Sequence, residues 1–470
     1  MIQGVRSWGV AALLLLAGAS LRIGFLHYHP FIAGDSLLYA DLARNMLQHH
    51  IFGFTEAHGI RPTLIRLPGY PLFLAACFAV FGIGNFIAVL WVQALLSLVE
   101  CCLLASLAAR LMGKRIGLIA LGLAAVCPFI ANYSAVPLAE SCNLFCVSLT
   151  LFSLERWIAA QRKGKAWNCW LLGIGFGLSY GILLRPDQAL LAVAVVPAMA
   201  WIVLRPSARS LTQLAPVAAV AAAIVLPLML WGVRNWRVFH VVQPFAPRYA
   251  NDPGEANPYG FQRWYRTWAI DFKATVDVYW NYDGSPLVLS DLPARAFDND
   301  AERAETAQIY AKYNDFGSAT KQFDDAFARL ADQHIAAHPV RYYLVLPALK
   351  VADMWLRPRT EFMRLPLDWW NFKAHRWQSI VSLAYALLNA VYLALAVVGL
   401  WRWLGRSWGG AGVLAYTMVA FVFLRCALLW TIDNSEPRYT LECFPVVILL
   451  ASFAFVRTRN WASGRRSEHF

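Results

Sequence analysis

Ten stretches of this chain stay apolar for close to twenty residues, at 8–26, 86–110, 116–133, 138–156, 168–184, 188–204, 212–232, 378–400, 411–431 and 439–456. A helix rising 1.5 Å per residue needs about twenty such residues to cross the roughly 30 Å hydrocarbon layer of a bilayer, where every backbone polar group has to be satisfied internally. The spacing therefore predicts an all-α polytopic membrane protein, a bundle of about ten transmembrane helices. With 59% hydrophobic and 15% charged residues, the 470-residue chain is too apolar to clothe a soluble globule. The first stretch holds the small-residue run Ala17-Gly18-Ala19-Ser20, as a cleavable signal would. Arg22 and a charged amphipathic stretch follow without a cleavage boundary, so it is read as an uncleaved span.

Basic residues recur at alternate ends of successive spans: Lys114 and Arg115; Arg156, Arg162, Lys163 and Lys165; Arg205 and Arg209; Arg402 and Arg406; and Arg457, Arg459, Arg465 and Arg466. Such clusters mark the cytoplasmic side, so both termini are expected there, and an even number of spans follows. The net charge of +13 is then largely a topology signal and calls for no nucleic-acid partner. The expected location is the plasma (inner) membrane, multi-pass, with the active site on the outer, periplasmic face.

Three regions follow. Residues 1–232 form a membrane module of about seven spans, interrupted by a large first outer loop at 27–85. Residues 233–377 form an extracytoplasmic cap, and 378–470 a three-span module with a basic tail. Within the first loop, Ser36–Leu47 is amphipathic and 71–83 is apolar but too short to span, so both are expected as helices lying in the interface. In the cap, Asn251-Asp252-Pro253-Gly254 and Asn257-Pro258-Tyr259-Gly260 signal turns. Helical spacing over 301–313 and 321–337 aligns Phe323, Phe327, Leu330 and His334, so a small, mainly helical domain is expected. Asp298, Asp300 and Glu302 alternate as calcium ligands do, but the glycine of such a loop is absent and Asp300 reads as a helix N-cap. Trp264, Trp268, Trp280, Trp355, Trp369, Trp370 and Trp377 fit an interfacial belt better than a sugar-stacking platform. All nine cysteines lie in apolar stretches, without disulfide or zinc spacing.

The ionisable residues near the outer ends of the spans carry the chemistry. Asp35 opens the amphipathic helix of the first loop, and Glu140 opens the fourth span. Each could be a simple helix cap, but an acid at a span end is usually paired or functional. Arg61 and Arg66 follow on the first loop, and Arg185 comes from the turn after the fifth span. Guanidinium forks match phosphate oxygens, and they match lipid headgroups or Asp187 equally well. Glu100 and Glu442 lie inside spans, where a local hydrogen bond to a neighbouring helix is the simpler reading. Gly173-x-Gly175-x-Gly177 follows no strand and reads as close helix packing.

Taken in order, Asp35 with Tyr39 four residues on, Arg66-Leu67-Pro68-Gly69-Tyr70-Pro71, Pro137-x-x-Glu140, Leu184-Arg185-Pro186-Asp187 and Glu436-Pro437-Arg438-Tyr439 resemble the protein mannosyltransferase and aminoarabinose-transferase (ArnT-like) superfamily of GT-C-fold membrane glycosyltransferases. The resemblance implies an inverting transferase that takes a sugar from a polyprenyl-phosphate donor to a hydroxyl of a lipid, glycan or protein acceptor, among membrane lipids. It implies Asp35 as catalytic base with Glu140 as second acid, and Arg66, aided by Arg61 and Arg185, as donor-phosphate contact. Tyr39, Tyr70 and Arg438 would be substrate contacts. No cofactor is required, a divalent metal ion being the open option, and no metal ligands are assigned. The chain departs from many relatives in having Asp35-Ser36 for Asp-Glu, Arg66-Leu67-Pro68 for Lys-Pro-Pro, and Glu140 for the commoner Asp. A transporter or flippase of lipid-linked saccharide, or a lipid-linked glycan polymerase or ligase, is the competing expectation. No half-chain repeat supports the first.

Overall fold

The computed structural model describes residues 2–204, 211–282, 284–404 and 410–456. Of the basic topology residues, Arg205, Arg209, Arg406, Arg457, Arg459, Arg465 and Arg466 lie outside the described residues. The chain begins with helix α1 (Ile2–Tyr28) and enters the first loop with α2 (Asp35–His49), a hairpin β1 (Gly53–Glu56) and β2 (Gly59–Pro62), and α3 (Gly69–Phe81). The bundle continues through α4 (Phe86–Met112), α5 (Lys114–Ala125), α6 (Pro128–Tyr133), α7 (Glu140–Gln161), α8 (Trp170–Leu184), α9 (Ala189–Leu204) and α10 (Ala215–Phe239). The cap holds α11 (Tyr259–Arg266), α12 (Phe272–Ala274), α13 (Asp300–Phe316), α14 (Lys321–Ala337) and α15 (Leu346–Leu356). The last module is α16 (Arg376–Leu404), α17 (Gly410–Thr431), α18 (Arg438–Leu441) and α19 (Phe444–Phe453).

Among the described residues, seven helices are long and apolar enough to cross a membrane. The other three expected spans take shorter forms. The 116–133 stretch divides into α5 and α6 because Pro128, which has no N–H to donate, starts a new helix rather than continuing the old one. The 168–184 stretch is α8, of 15 residues, and 439–456 becomes α18 followed by the ten-residue α19. Every residue of α19 is buried, so its shortness is compatible with a non-polar surround made by neighbouring helices.

The two helices expected in the first loop are present as α2 and the 13-residue α3. Between them lies an element that was not expected, an antiparallel hairpin pairing Phe54 with Arg61 and Glu56 with Gly59. Four-residue strands are too short for their alternation to stand out in a sequence. Gly34, at φ 55°, makes the turn from α1 into α2, a backbone region that strains residues with a Cβ. The cysteines are free, as their spacing predicts.

Small residues set how closely the bundle closes. A Cβ at Gly177 would lie 2.3 Å from Thr150 Oγ1 and one at Gly173 2.3 Å from Ser153 Oγ, so the glycine run does serve close packing of α8 on α7. Gly69 is less forgiving, since a Cβ there would meet backbone, that of Leu183 at 2.4 Å. Backbone cannot swing aside as a side chain can, so the start of α3 would have to move away from the end of α8. Gly69→Ala is therefore expected to cost about 1–3 kcal/mol, the usual range for overpacking, and to lower the unfolding temperature of the purified protein. An unchanged midpoint would show that α3 is free to shift.

The cap has its own core. Phe261, Trp264, Tyr265 and Trp268 from α11 and its exit pack against Phe327 and Leu330 of α14, with Phe261 and Tyr282 stacked at 3.8 Å. Trp264 and Trp268 are fully buried, so they belong neither to an interfacial belt nor to a sugar platform. Helical periodicity identifies the buried side of α14 correctly, His334 included. The N-cap of α13 is Asn299, whose side chain accepts from the Glu302 N–H, and Asp300 is already the first helical residue.

Candidate active site

Where the first loop, the cap and the ends of the spans meet, they enclose a cavity of about 1100 Å³. Asp35, Tyr39, Arg66, Glu140, Arg185 and Arg438 all line it, from five separate parts of the chain. Asp35 stands at the first turn of α2, and its two oxygens face two guanidiniums, Arg66 Nη2 at 3.0 Å and Arg438 Nη1 at 3.1 Å. Burial alone would push this carboxyl up, yet Arg438 and Arg66 together outweigh burial and hold it below the usual carboxylate value. Asp35 is therefore an ionised, clamped carboxylate.

Arg438 is the hinge of the cluster. Beyond Asp35 it lies 4.0 Å from Glu140 and pairs with Glu436, which in turn accepts from the Tyr439 hydroxyl at 2.7 Å and from Asn434 Nδ2 at 2.8 Å. Glu140, in the first turn of α7, is buried and pairs with Arg185 Nη1 at 2.9 Å. Arg185 is thereby surrounded, because Asp187 lies at 3.1 Å and Glu442 at 2.7 Å from its other nitrogens. Behind it Arg425, wholly buried in α17, meets the same two acids at 2.8 Å and 2.7 Å. The site is thus the open end of a chain of alternating charges that runs into the bundle.

The expected phosphate contacts separate on this geometry. Arg66 makes one ion pair and a 3.3 Å bond to the Ile65 carbonyl, which leaves donors of its fork uncommitted. Arg185 spends its fork on three carboxylates. Arg61 does not reach the cavity; it sits on β2, paired with Glu56, with Asp252 at 2.8 Å and with Glu255 at 3.1 Å, where it ties the hairpin to the loop before the cap. Tyr39 lines the cavity edge-on to Tyr70 at 5.1 Å, but Tyr70 itself is buried and donates to Gln93 Oε1 at 2.7 Å. Tyr70 is a packing residue of the first loop, not a cavity wall.

Several lining residues escaped the reading of the sequence. Tyr133 donates to Glu361 at 2.6 Å across the cavity wall. On the cap side Asp433 lies 3.8 Å from Arg248 and 3.5 Å from Arg266. Nearby, burial pulls the Lys350 ammonium down to about 7 as it donates to the Ile432 carbonyl. None of these falls in a repeated pattern; only Glu436, through its place in Glu436-Pro437-Arg438-Tyr439, had a signal. Glu442 accepts the expected hydrogen bond from a neighbouring helix, given by Gln188, and in addition joins the charge network, whereas neither carboxylate oxygen of buried Glu100 has a hydrogen-bond partner.

Residues 61–231 match the family described as dolichyl-phosphate-mannose-protein mannosyltransferase. Among solved structures, the fold is similar to the oligosaccharyltransferase AglB of Archaeoglobus fulgidus, solved with an inhibitory peptide and a dolichol-phosphate, at 14% identity and TM-score 0.48. That alignment covers 97% of this chain and 50% of the other, so the chain spans about half the length of the oligosaccharyltransferase. It is also similar to ArnT of Cupriavidus metallidurans, solved with undecaprenyl phosphate, at 15% identity and TM-score 0.36, over 95% of this chain and 78% of that one. No curated protein matches the chain significantly.

Proposed function

We propose that this chain, a membrane protein whose sequence resembles the protein mannosyltransferase superfamily, is an inverting glycosyltransferase that uses a polyprenyl-phosphate sugar, with Asp35 as its base. The observation that carries the reading is the clamp of Asp35 between Arg66 and Arg438 at the wall of a large cavity. The description of the matched family, which names a dolichyl-phosphate-linked mannose, supports a lipid-phosphate donor. The orientation of the helices supports an outer-face site. Glu140 begins α7 in the cavity, and the 22 residues of α7 carry the chain to Arg162, Lys163 and Lys165, about 33 Å away at 1.5 Å per residue. Basic loops then lie opposite the cavity, as the positive-inside rule requires of a site facing outward from the plasma membrane.

The resting clamp explains how donor and acceptor are coupled. A donor phosphate entering between Arg66 and Arg438 exchanges their pairs with Asp35 for pairs with its own oxygens. Asp35 then loses the neighbours that depress it and becomes a stronger base. It takes the proton of an acceptor hydroxyl as that oxygen bonds to the anomeric carbon from the face opposite the phosphate. The bond between the anomeric carbon and the phosphate oxygen breaks, and its electron pair leaves with the polyprenyl phosphate, whose charge the arginines stabilise. Glu140, locked by Arg185, orients acceptor or arginines rather than moving a proton. The nature of the acceptor, whether lipid, glycan or protein, is the province of the cap-side wall.

Reconstitution with a panel of polyprenyl-phosphate sugars and acceptors tests this directly, with glycosylated product as the readout. Within that assay Arg66→Ala is expected to lower kcat/KM by about 10²-fold, the loss of one charge-stabilising donor, while Arg61→Ala leaves it within about twofold. Equal effects of the two substitutions would remove Arg66 from the phosphate site. Carrier-independent flux without a glycosylated product would identify a transporter instead.

A further inference from the structure

Away from the cavity, the cap brings together Asp298, Glu302 and His334, each offering one ligand atom, with those atoms all within 4.8 Å of one another. Asp298 lies just before the Asn299 N-cap of α13 and Glu302 in its first turn, while His334 lies in the last turn of α14 and His338 just past its end. Glu302 and His334 are buried, whereas His338 is half-exposed at the mouth.

What singles this group out is how the other polar atoms of each residue are used. The Thr267 hydroxyl donates to the Trp264 carbonyl at 2.6 Å, so toward His334 Nδ1, also at 2.6 Å, it can only accept. Nδ1 therefore carries the proton of the neutral ring, and Nε2 turns its lone pair toward Glu302 Oε1. Glu302 Oε2 is held by the Asp298 N–H at 2.8 Å, and Asp298 Oδ1 by Arg341 at 2.6 Å. That leaves Asp298 Oδ2 facing His334 Nε2 at 3.9 Å and His338 Nε2 at 3.6 Å. The lone pairs of Asp298, Glu302 and His334 thus converge on one point, each fixed by a partner on its far side as the outer-shell partners of metal ligands fix them, and His338 stands at the edge of that point, within reach of Asp298 alone.

We propose that Asp298, Glu302, His334 and His338 form a binding site for a zinc-class divalent transition-metal ion, which staples the start of α13 to the end of α14. Two imidazoles and two carboxylates suit four-coordinate Zn²⁺ and do not suit Ca²⁺ or Mg²⁺, which take oxygen ligands. The two carboxylates against the single Arg341 guanidinium leave net negative charge to receive the cation. The site is separate from the Asp35 clamp and does not depend on the proposed reaction.

The test is Zn²⁺ titration of the full-length protein in detergent after chelator treatment, with a competing chromophoric chelator as readout and Co²⁺ absorption as a second signal. Wild type should bind one equivalent more than His334→Gln. Thr267→Val, which removes the partner of Nδ1 without touching a ligand, should weaken that equivalent by about 10–100-fold. His338→Ala, a change at a half-exposed position that leaves the cap core intact, should weaken it too. If His334→Gln and His338→Ala bind Zn²⁺ as wild type does, or wild type binds none, the assignment fails, and His334 and Glu302 simply share a proton.

Discussion

Asp35→Asn is expected to lower the rate of sugar transfer by about 10³-fold, the middle of the range for loss of a general base, in the reconstituted assay with saturating donor. Asparagine is nearly isosteric but offers one acceptor oxygen where aspartate has two, so it keeps one of the two arginines and frees the other for the donor phosphate while the proton acceptor is gone. Donor binding should therefore survive, and the loss should fall on kcat rather than KM. Wild-type transfer rates in Asp35→Asn would end the base assignment. The same carboxyl links stability to pH. Its value is lowered in the folded protein, so its stabilising contribution is complete above the unfolded carboxyl's pKa of about 3.9 and is lost as pH falls from there through the lowered folded value. Thermal unfolding between pH 3 and 5 should show this loss in wild type and less of it in Asp35→Asn.

The second large effect is on stability. Arg425→Leu removes the guanidinium that faces Asp187 and Glu442 inside the bundle and leaves these two acids to share Arg185 with Glu140. Removing one partner of a buried ion pair costs about 3–5 kcal/mol, because the remaining charge has no water to turn to. The midpoint of unfolding of the purified protein should drop accordingly, and activity should drop with it, since Arg185 and through it Glu140 would be re-aimed. The double change Arg425→Leu with Glu442→Leu should recover part of the loss, a coupling of about 1–3 kcal/mol. A single-variant cost under 1 kcal/mol would mean that water reaches this network.

The parts of the molecule that sequence reading anticipated are those governed by local pattern. Apolar length announced the membrane bundle and the short α3, amphipathic spacing announced α2 and the buried side of α14, and the expected topology put Asp35, Arg66, Glu140 and Arg185 on one face, with Arg438 added by the family resemblance. Local pattern failed where a residue's partner is far along the chain. Arg61 and Arg66 lie five residues apart on one loop, yet one turns to Asp252 and Glu255 and the other to Asp35. Trp264 and Trp268 look like interface residues until α14 covers them.

What the sequence by itself determined was which segments leave water and which charged residues stand at their ends, since hydrophobic length and period are properties of a stretch read alone. Only the tertiary structure decided which charges meet. Arg438 clamps Asp35 from 403 positions away, and Arg425 and Glu442 turn an apolar span and a short helix into the base of the site. Ion pairs act over a few ångströms of space and take no account of chain distance, so only the closed bundle could distinguish the arginine left with donors to spare from those already spent.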